Sequence, residues 1–387
     1  MFTVKLLNNI KSPELSKFDG AKYQVSADAA APDAIMVRSA KLHDEVFNSE
    51  LLCIARAGAG YNTIPTARCA DEGIVVFNTP GANAQGVMEL AICALFLAGR
   101  NIIDGVQWVK SVADQKDEVA ALVEKQKAQY SGPEILGKTL GVIGLGAIGA
   151  KIANAAAALG MKVLGYDPYL SDKTAKMLNS EITLADSLEV IYEKSDFISL
   201  NLPYMDSTKH FINKDTIAKM KQGVRIINMA RAELVCDTEI IEALESGHVA
   251  CYVTDFPNGA TAGAKGVVPI PHLGASTPES EDNCVCMAAD EIMAYLEDGN
   301  IINSVNIPNA YLERKGGVRL CVIYKNDLEA KIKDLVTAQG ASLLDSLNST
   351  SDSFSHSYLI MDMDKSPDGL KDAVSALDGV SRVRVLP

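Results

Sequence analysis

The chain has 387 residues, of which 48% are hydrophobic and 22% are charged, and its formal net charge is −13. That length exceeds one ordinary domain, so we expect two or three domains of a globular protein. The acidic balance argues against nucleic acid as a partner, because phosphate backbones are bound by clustered Lys and Arg. No stretch approaches about 18 uninterrupted apolar residues, so we expect no membrane-spanning helix and no membrane partner.

The N-terminal residues and the cysteines indicate the compartment. Residues 1–18 lack the long apolar core and the small-residue cleavage site of a signal peptide. The eight cysteines are scattered, and the one close pair, Cys284 and Cys286, lacks the spacing of a zinc site. We therefore expect reduced thiols, no bound metal and a cytoplasmic location.

Residues 1–97 alternate short apolar runs with helical patterns. The runs "DAIMVRS", "LLCIARAGAG" and "GIVVFNTPG" are predicted strands that end in polar or glycine-rich turns, and "QGVMELAICALFLAGR" is a predicted helix. The pattern restarts at residue 137, with later strands in "DFISLNLP", "RIINMARA", "ACYVTDFP" and "GVVPIP". Alternating strands and helices predict two α/β units of the doubly wound, Rossmann-like class, each with a parallel sheet.

The tail from Gly316 onward has a different pattern. It is predicted as strand, helix, strand, strand, helix and strand, which is the ferredoxin-like order. The segment "NIPNAYLERKGG" would link it to the preceding unit.

A glycine loop, "GLGAIG", places Gly144, Gly146 and Gly149 between the strand "TLGVI" and the helix "AKIANAAAALG". The first glycine allows a tight turn, the second lets a pyrophosphate approach the backbone, and the third lets helix and strand pack closely. A second strand ends in Asp167, about 20 residues further on. A carboxylate there would accept the ribose hydroxyls and repel a 2′-phosphate, so the pattern favours NAD over NADP.

Two charged side chains follow later strands of the same unit. Arg231 follows "RIINMA" and His272 follows "GVVPIP", so both are expected at the carboxyl edge of the sheet, where ligands bind. A histidine can take a hydroxyl proton, and an arginine can bind a carboxylate through two hydrogen bonds. Spacing alone leaves open whether they are catalytic or structural.

Seven motifs resemble, in order, those of the D-2-hydroxyacid dehydrogenases, and within that family the branch that oxidises phosphoglycerate. They are "VRSAKLHDEVF", "IARAGAGYNTI", "FNTPGANA", "LGVIGLGAIG", "GYDPY", "INMARAELV" and "PHLGAST". The tail resembles the ACT regulatory domains of the same enzymes. The resemblance implies NAD-dependent oxidation of 3-phospho-D-glycerate, the first step of serine biosynthesis.

The same resemblance assigns roles to individual residues. His272 would be the acid/base and Arg231 the anchor for the substrate. Further substrate-binding residues would be Arg38, Ser39, Arg56, Ala57 and Gly58. The cofactor-binding residues would be Gly144, Gly146, Ala147, Ile148, Gly149, Asp167, Pro203, Met229, Ala230, Asp255, Gly274 and Ala275, with Asp255 on the nicotinamide carboxamide.

The chain departs from the family pattern at the glutamate that pairs with the histidine. The sequence "TDFPNGATAGAKG" has no acid there; Glu233 could replace it, or could be a surface residue that interacts with a helix dipole. Two alternative functions stay open. One is a glyoxylate/hydroxypyruvate or other D-2-hydroxyacid reductase, which would not need both Arg38 and Arg56. The other is a non-catalytic NAD-sensing protein, supported only by the missing glutamate.

We expect a discontinuous substrate-binding domain (1–97 and 282–306), an NAD-binding domain (98–281) and an ACT-like domain for regulation or assembly (316–387). The family resemblance implies a homodimer or homotetramer. Residues 104–132 are predicted to be helical, either for subunit contact or as a solvated amphipathic helix. The loop "YKNDLEA" has no glycine or proline, so serine inhibition is expected to be weak or absent, although Asn326 could still cap the next helix and offer its amide to an amino acid.

Overall fold

The computed structural model describes all 387 residues and contains two parallel sheets and one antiparallel sheet. Its strands are β1 (Phe2–Leu6), β2 (Tyr23–Ser26), β3 (Ala34–Val37), β4 (Cys53–Arg56), β5 (Val75–Asn78), β6 (Thr139–Ile143), β7 (Lys162–Tyr166), β8 (Thr183–Leu184), β9 (Phe197–Leu200), β10 (Val224–Asn228), β11 (Val249–Thr254), β12 (Val267–Pro269), β13 (Val318–Tyr324), β14 (Leu343–Ser349), β15 (Ser357–Met363) and β16 (Val380–Leu386).

Its α-helices are α1 (Thr66–Asp71), α2 (Ala84–Gly99), α3 (Ile102–Ser111), α4 (Val119–Gln126), α5 (Ala147–Ala158), α6 (Asp172–Ala175), α7 (Leu188–Lys194), α8 (Lys214–Ile217), α9 (Asp237–Glu245), α10 (Pro278–Asp298), α11 (Glu329–Ala338) and α12 (Leu370–Ser375). The chain divides into two compact units. One comprises Met1–Ala82 and Glu281–Pro387, and the other comprises Asn83–Ser280.

The unit Asn83–Ser280 has a seven-stranded parallel sheet in the order β12-β11-β10-β9-β6-β7-β8. This is the Rossmann order, in which the order of the strands reverses between β6 and β9 and opens a crevice at the carboxyl ends of the strands. Its strands are apolar on both faces because helices cover both. Alanines of α2 and α5, Ala91, Ala94, Ala153 and Ala156, let these helices approach the sheet closely. The doubly wound prediction is confirmed.

The N-terminal part of the other unit forms a five-stranded parallel sheet in the order β2-β1-β3-β4-β5. Strands β3 and β4 are adjacent, with Val37 opposite Arg56 in the register. Arg38 follows the last residue of β3, and Arg56 is the last residue of β4. The two arginines therefore share one edge of this sheet.

The C-terminal segment forms an antiparallel sheet in the order β14-β15-β13-β16. This confirms the βαββαβ order predicted from the sequence. Helices α11 and α12 cover one face of the sheet. The opposite face belongs to one hydrophobic core with α10 and the N-terminal sheet, and contributes Cys321, Ile323, Tyr358, Ile360 and Leu386. The tail is thus packed into the same compact unit as residues 1–82.

Two buried arginines of the C-terminal sheet bind the last carbonyls of α10. Arg384 donates to the carbonyl oxygens of Tyr295 and Leu296, each at 2.7 Å. Arg319 donates to the Asp298 carbonyl at 2.8 Å and also pairs with Asp362, at 2.6 Å from Nε to Oδ1. Helix ends leave carbonyls without partners inside the helix and carry partial negative charge. The C-terminal sheet therefore caps α10.

Two local predictions can be compared with the structure. Asn326 does not cap α11, because the N-cap residue is Leu328 and Asn326 has a left-handed backbone with φ of 65°. Residues 104–132 are largely helical, as α3 and α4 with short 3₁₀ turns, and the ring of Trp108 packs 5.5 Å from that of Tyr130. No single helix is long and apolar enough to cross a membrane, although α2 and α3, bent by 69°, pass that test as a pair.

Candidate active site

The glycine loop connects β6 to α5, and the structure explains the absence of a side chain at each of its three glycines in a different way. Gly144 has φ of 87°, and a Cβ there would lie 2.5 Å from the Asn201 carbonyl oxygen. A Cβ on Gly149 would collide with the Gly144 carbonyl oxygen. Gly146, the N-cap of α5, faces open space within 4 Å. The loop therefore packs tightly on both sides and leaves room for a phosphate at the helix N-terminus.

Asp167 orders this loop through its carboxylate. Oδ2 accepts a hydrogen bond from the Leu145 backbone N–H at 2.8 Å, and Oδ1 accepts one from the Tyr169 backbone N–H at 2.8 Å. Each carboxylate oxygen can accept a further hydrogen bond, so ribose hydroxyls can still bind. The predicted cofactor residue is thus also part of the loop's own framework.

Asp255 follows β11 and is 1% exposed. The backbone N–H of Gly274 donates to Oδ2 at 3.3 Å, whereas Oδ1 is buried without a hydrogen-bond partner. Burial raises the pKa of the Asp255 carboxyl above its ordinary value, and nearby His272, the Gly274 N–H and Arg231 only partly offset that rise. A buried acceptor without a donor fits a ligand that brings an N–H, as the carboxamide of a nicotinamide does.

Phe256 brings Arg231 and His272 together. The His272 ring lies 4.4 Å from the Phe256 ring, centroid to centroid, at an interplanar angle of 45°. The Arg231 guanidinium lies over the same Phe256 ring at 5.6 Å, and its NH1 donates to the Ala230 carbonyl oxygen at 2.6 Å. Both side chains are exposed. A cation and a titratable ring therefore share one aromatic neighbour at the carboxyl edge of the sheet.

Asn228, the last residue of β10, fixes the backbone at Arg231. Its Oδ1 accepts hydrogen bonds from the N–H groups of Ala230 and Arg231, at 3.1 Å and 3.3 Å. Its Nδ2 donates to the Arg231 carbonyl at 2.8 Å and to the Tyr252 hydroxyl at 3.1 Å. Asn228 is fully buried, so this network holds the turn rigidly.

In the other unit, Asn8 organises the turn after β3. Its Oδ1 accepts backbone N–H bonds from Arg38, Ser39 and Ala40, at 3.3, 2.9 and 2.8 Å. Asn8 itself has a left-handed backbone, with φ of 72°, which asparagine tolerates. Its side chain thereby orders the turn that carries two of the predicted substrate residues.

Arg56 joins the same turn from β4. Its Nε donates to the Arg38 carbonyl oxygen at 3.0 Å. Its guanidinium lies against Gly58, where an added Cβ would collide with it. The structure thus brings Arg38, Ser39, Arg56, Ala57 and Gly58 together at one sheet edge of this unit.

Comparison with known proteins places the chain in a family. Residues 94–274 match the NAD binding domain of D-isomer specific 2-hydroxyacid dehydrogenases. A hydroxypyruvate reductase of Thermotoga maritima is 35% identical over 289 residues, which cover 72% of this chain and 89% of that protein. The chain belongs to the D-isomer specific 2-hydroxyacid dehydrogenase family.

Two further members of this dehydrogenase family are similar to the chain. The D-3-phosphoglycerate dehydrogenase of Bacillus subtilis is 33% identical over 285 residues, which cover 71% of this chain and 52% of that protein. The chain therefore spans about half the length of that relative. The NAD⁺-bound 3-phosphoglycerate dehydrogenase of Entamoeba histolytica has a TM-score of 0.59 and 26% identity, covering 80% of this chain and 99% of that one.

The family's NAD-binding segment lies inside the unit Asn83–Ser280. The remaining residues predicted to contact NAD lie in the first turn of α5 and in the segments that follow β9, β10 and β12. They are Ala147, Ile148, Pro203, Met229, Ala230 and Ala275. Their positions on one sheet edge fit a dinucleotide along the crevice.

Sequence reasoning missed three residues that organise the site, and did not resolve a fourth. Asn8, Asn228 and Phe256 act through backbone turns or ring packing, so no charge or motif spacing indicates them. The available signal was position: Asn8 and Asn228 directly follow apolar runs, and Phe256 follows Asp255 at the end of β11. Glu233 is exposed, and no hydrogen bond or ion pair joins its carboxylate to His272.

Proposed function

We propose that the chain is an NAD-dependent dehydrogenase that oxidises 3-phospho-D-glycerate to 3-phosphohydroxypyruvate, the first step of serine biosynthesis. The observation that carries this proposal is the grouping of Arg231 and His272 on Phe256 beside the buried, unpartnered Oδ1 of Asp255. That grouping provides a carboxylate anchor, a proton acceptor and a carboxamide acceptor within one sheet edge. The names of the phosphoglycerate-oxidising relatives support the choice of substrate.

Bound NAD would supply the acceptor for the hydride that leaves C2 of the substrate. Gly146 and the first turn of α5 would hold the pyrophosphate, Asp167 the ribose and Asp255 the carboxamide. His272 would take the proton of the C2 hydroxyl as a general base. Arg231 would bind the substrate carboxylate through two hydrogen bonds, and its contact with Phe256 limits the orientations of its guanidinium.

Arg38 and Arg56 would bind the substrate phosphate, with Ser39 and the backbone of Ala57 and Gly58. A guanidinium fork suits phosphate oxygens. Arg38 projects from the turn that Asn8 fixes, and Arg56 projects from the end of β4 and donates to the Arg38 carbonyl. In a chain of net charge −13, an anionic substrate needs such a local positive surface. This supports a phosphorylated substrate over an unphosphorylated one.

A second candidate is a reductase of hydroxypyruvate or glyoxylate, favoured by the name of the Thermotoga maritima relative. It would use the same hydride and proton chemistry without the phosphate arginines. A non-catalytic NAD-sensing role is the third candidate, and its support is that no carboxylate contacts His272 through a hydrogen bond or an ion pair. The presence of the Arg231, Phe256 and His272 grouping favours catalysis over sensing.

We propose in addition that the chain self-associates as a homodimer or homotetramer through α3. Four apolar side chains of this helix, Ile102, Ile103, Val106 and Val109, are between 39% and 46% exposed. Ile102, Val106 and Val109 recur at helical spacing, so they share one face, and a second copy of this face would remove it from water. Val106→Glu should yield monomers in sedimentation velocity, and an unchanged oligomer would exclude this face.

The test of the proposed activity is the absorbance of NADH at 340 nm when the full chain is mixed with NAD and 3-phospho-D-glycerate. We expect substrate-dependent formation of NADH, with no signal when either reactant is omitted. Hydroxypyruvate and glyoxylate with NADH test the second candidate in the same assay. Binding of NAD without turnover of any of these substrates would favour the sensing role.

A further inference from the structure

Glu281 forms an ion pair with one of the two proposed phosphate ligands. Its Oε1 contacts NH2 of Arg38. The two side chains are 41% and 45% exposed, so the pair lies at the surface, where an incoming anion can reach it. Glu281 lies near the start of α10, where a carboxylate is favoured by the positive end of the helix dipole.

Both partners of this pair project from fixed elements. Asn8 holds the Arg38 turn through its three backbone hydrogen bonds. The residues of α10 that follow Glu281 pack into the hydrophobic core of the unit, namely Cys284, Val285, Ala288, Ala289 and Ile292. Because both backbones are anchored, the two side chains stay within reach of each other, while their exposed ends can still exchange partners.

The neighbouring Cys284 senses the same charges. Burial raises the pKa of its thiol, the nearby Thr79 hydroxyl and the charges of Arg56 and Arg38 lower it, and the charge of Glu281 raises it. Arg38, Arg56 and Glu281 therefore all lie close enough to Cys284 to affect its pKa, in keeping with the direct contact between Glu281 and Arg38.

We propose that Glu281 is a built-in competitor for the substrate phosphate, which holds Arg38 in the absence of substrate and is displaced by a phosphate dianion. This inference rests on the proposed function, because it assigns the phosphate to Arg38. A carboxylate and a phosphate use the same guanidinium fork. A monoanion that replaces Glu281 beside Arg38 carries the same charge, so the replacement gains little electrostatic energy. A phosphate dianion carries one additional negative charge and is therefore bound more strongly. Glu281 would thus sharpen selection for phosphorylated substrates.

Glu281→Gln keeps the size of the side chain and removes the competing charge. We expect the KM for 3-phospho-D-glycerate to fall about 1.5- to 5-fold, the range that exposed ion pairs support. The kcat should stay the same, because the pair is broken in both the bound state and the transition state. In the background of Arg38→Ala, the same substitution should have no effect on KM, which a general change of charge would not reproduce.

A matched control is available on the same helix. Asp290→Asn removes one negative charge from α10, at a carboxylate that pairs with Lys17 at 2.5 Å. It should leave the KM unchanged. An equal fall of KM in this control would overturn the proposal, because the effect would then come from net charge.

Binding of inorganic phosphate provides a readout that needs no turnover. The full chain and its variants are titrated with phosphate, and the half-saturating concentration is read from NMR chemical shifts. The proposal is supported if Glu281→Gln lowers the half-saturating phosphate concentration and if this decrease is absent in the Arg38→Ala background. That result would support Glu281 as a competitor even if no variant oxidised 3-phospho-D-glycerate. In that case only the proposed function would be wrong. Equal half-saturation in wild type and Glu281→Gln overturns the proposal even if the enzyme oxidises that substrate normally.

Discussion

The side chains around His272 support a role in proton transfer, which the spacing of the sequence motifs left open. The sequence placed this histidine at the end of a strand and left open whether it was structural. The ring packs on Phe256, is exposed and lies close enough to Asp255 to affect its pKa. These are the surroundings of a group that can exchange protons with a ligand.

His272→Ala should lower kcat at least about 100-fold, because general bases contribute on that order. The Kd for NAD, measured by fluorescence or calorimetry, should change little, since the glycine loop and Asp167 are untouched. His248→Ala is the matched control in the same unit, because the His248 ring is hydrogen-bonded to the Met220 carbonyl, at 3.1 Å, and is not among the proposed site residues. Near-normal turnover of the His272 variant would show that another group takes the proton.

Asp167→Ala should narrow the preference for NAD over NADP. Since Oδ2 also holds the Leu145 N–H, alanine should weaken binding of both cofactors by loosening the loop. Asp167→Asn separates the two effects, because its amide oxygen can keep one backbone hydrogen bond while the charge is lost. The measurement is kcat/KM with each cofactor. Wild-type enzyme that uses NAD and NADP equally would contradict the assignment.

At the scale of elements, the order of strands and helices was readable from the sequence, whereas the docking of the tail was not. The run "LCVIY" in β13 is apolar at every position, which is typical of a strand buried on both faces. Helices α11 and α12 cover only one face of this sheet, so the apolar run in β13 indicates that another element covers the opposite face. That element is α10, and the sequence does not identify it, because the contacts between α10 and the sheet join residues far apart in the chain.

Asp362→Ala should destabilise the C-terminal sheet strongly. Arg319 and Asp362 have no exposed side-chain area, so alanine leaves a buried guanidinium unpaired, at a cost of about 3–5 kcal/mol. Urea unfolding measures this change in the free energy of unfolding. The double variant Arg319→Met/Asp362→Leu removes both charges and should recover most of the loss. Equal stability of wild type and Asp362→Ala would contradict the importance of this pair.

The same pair gives a pH dependence. Burial alone would raise the pKa of Asp362, but hydrogen bonds from Arg319 and the Lys315 N–H lower it below its ordinary value of 3.8. A carboxyl whose pKa is lower in the folded state contributes stability above the unfolded pKa and loses it as pH falls through the folded pKa. The wild type should therefore lose this contribution below about pH 4, and the double variant should not.

At the scale of the molecule, the C-terminal segment is part of the unit that carries Arg38 and Arg56, the proposed phosphate ligands. A chain that ends near Leu312 would expose Ile292, Tyr295 and Leu296 and leave the α10 carbonyls without Arg319 and Arg384. We expect this truncated chain to aggregate or to show no cooperative unfolding by circular dichroism. A soluble, cooperatively folded truncation would show that the tail is a separable domain.

Whether the substrate carries a phosphate is tested most directly by the ratio of the kcat/KM values for two substrates. The kcat/KM of the full chain with NAD is measured for 3-phospho-D-glycerate and for D-glycerate, which differ only in that group. Lost charge-assisted hydrogen bonds to Arg38 and Arg56 predict a preference of at least about 100-fold for the phosphorylated acid. Equal values, or faster oxidation of D-glycerate, would contradict the account and favour the reductase of unphosphorylated acids.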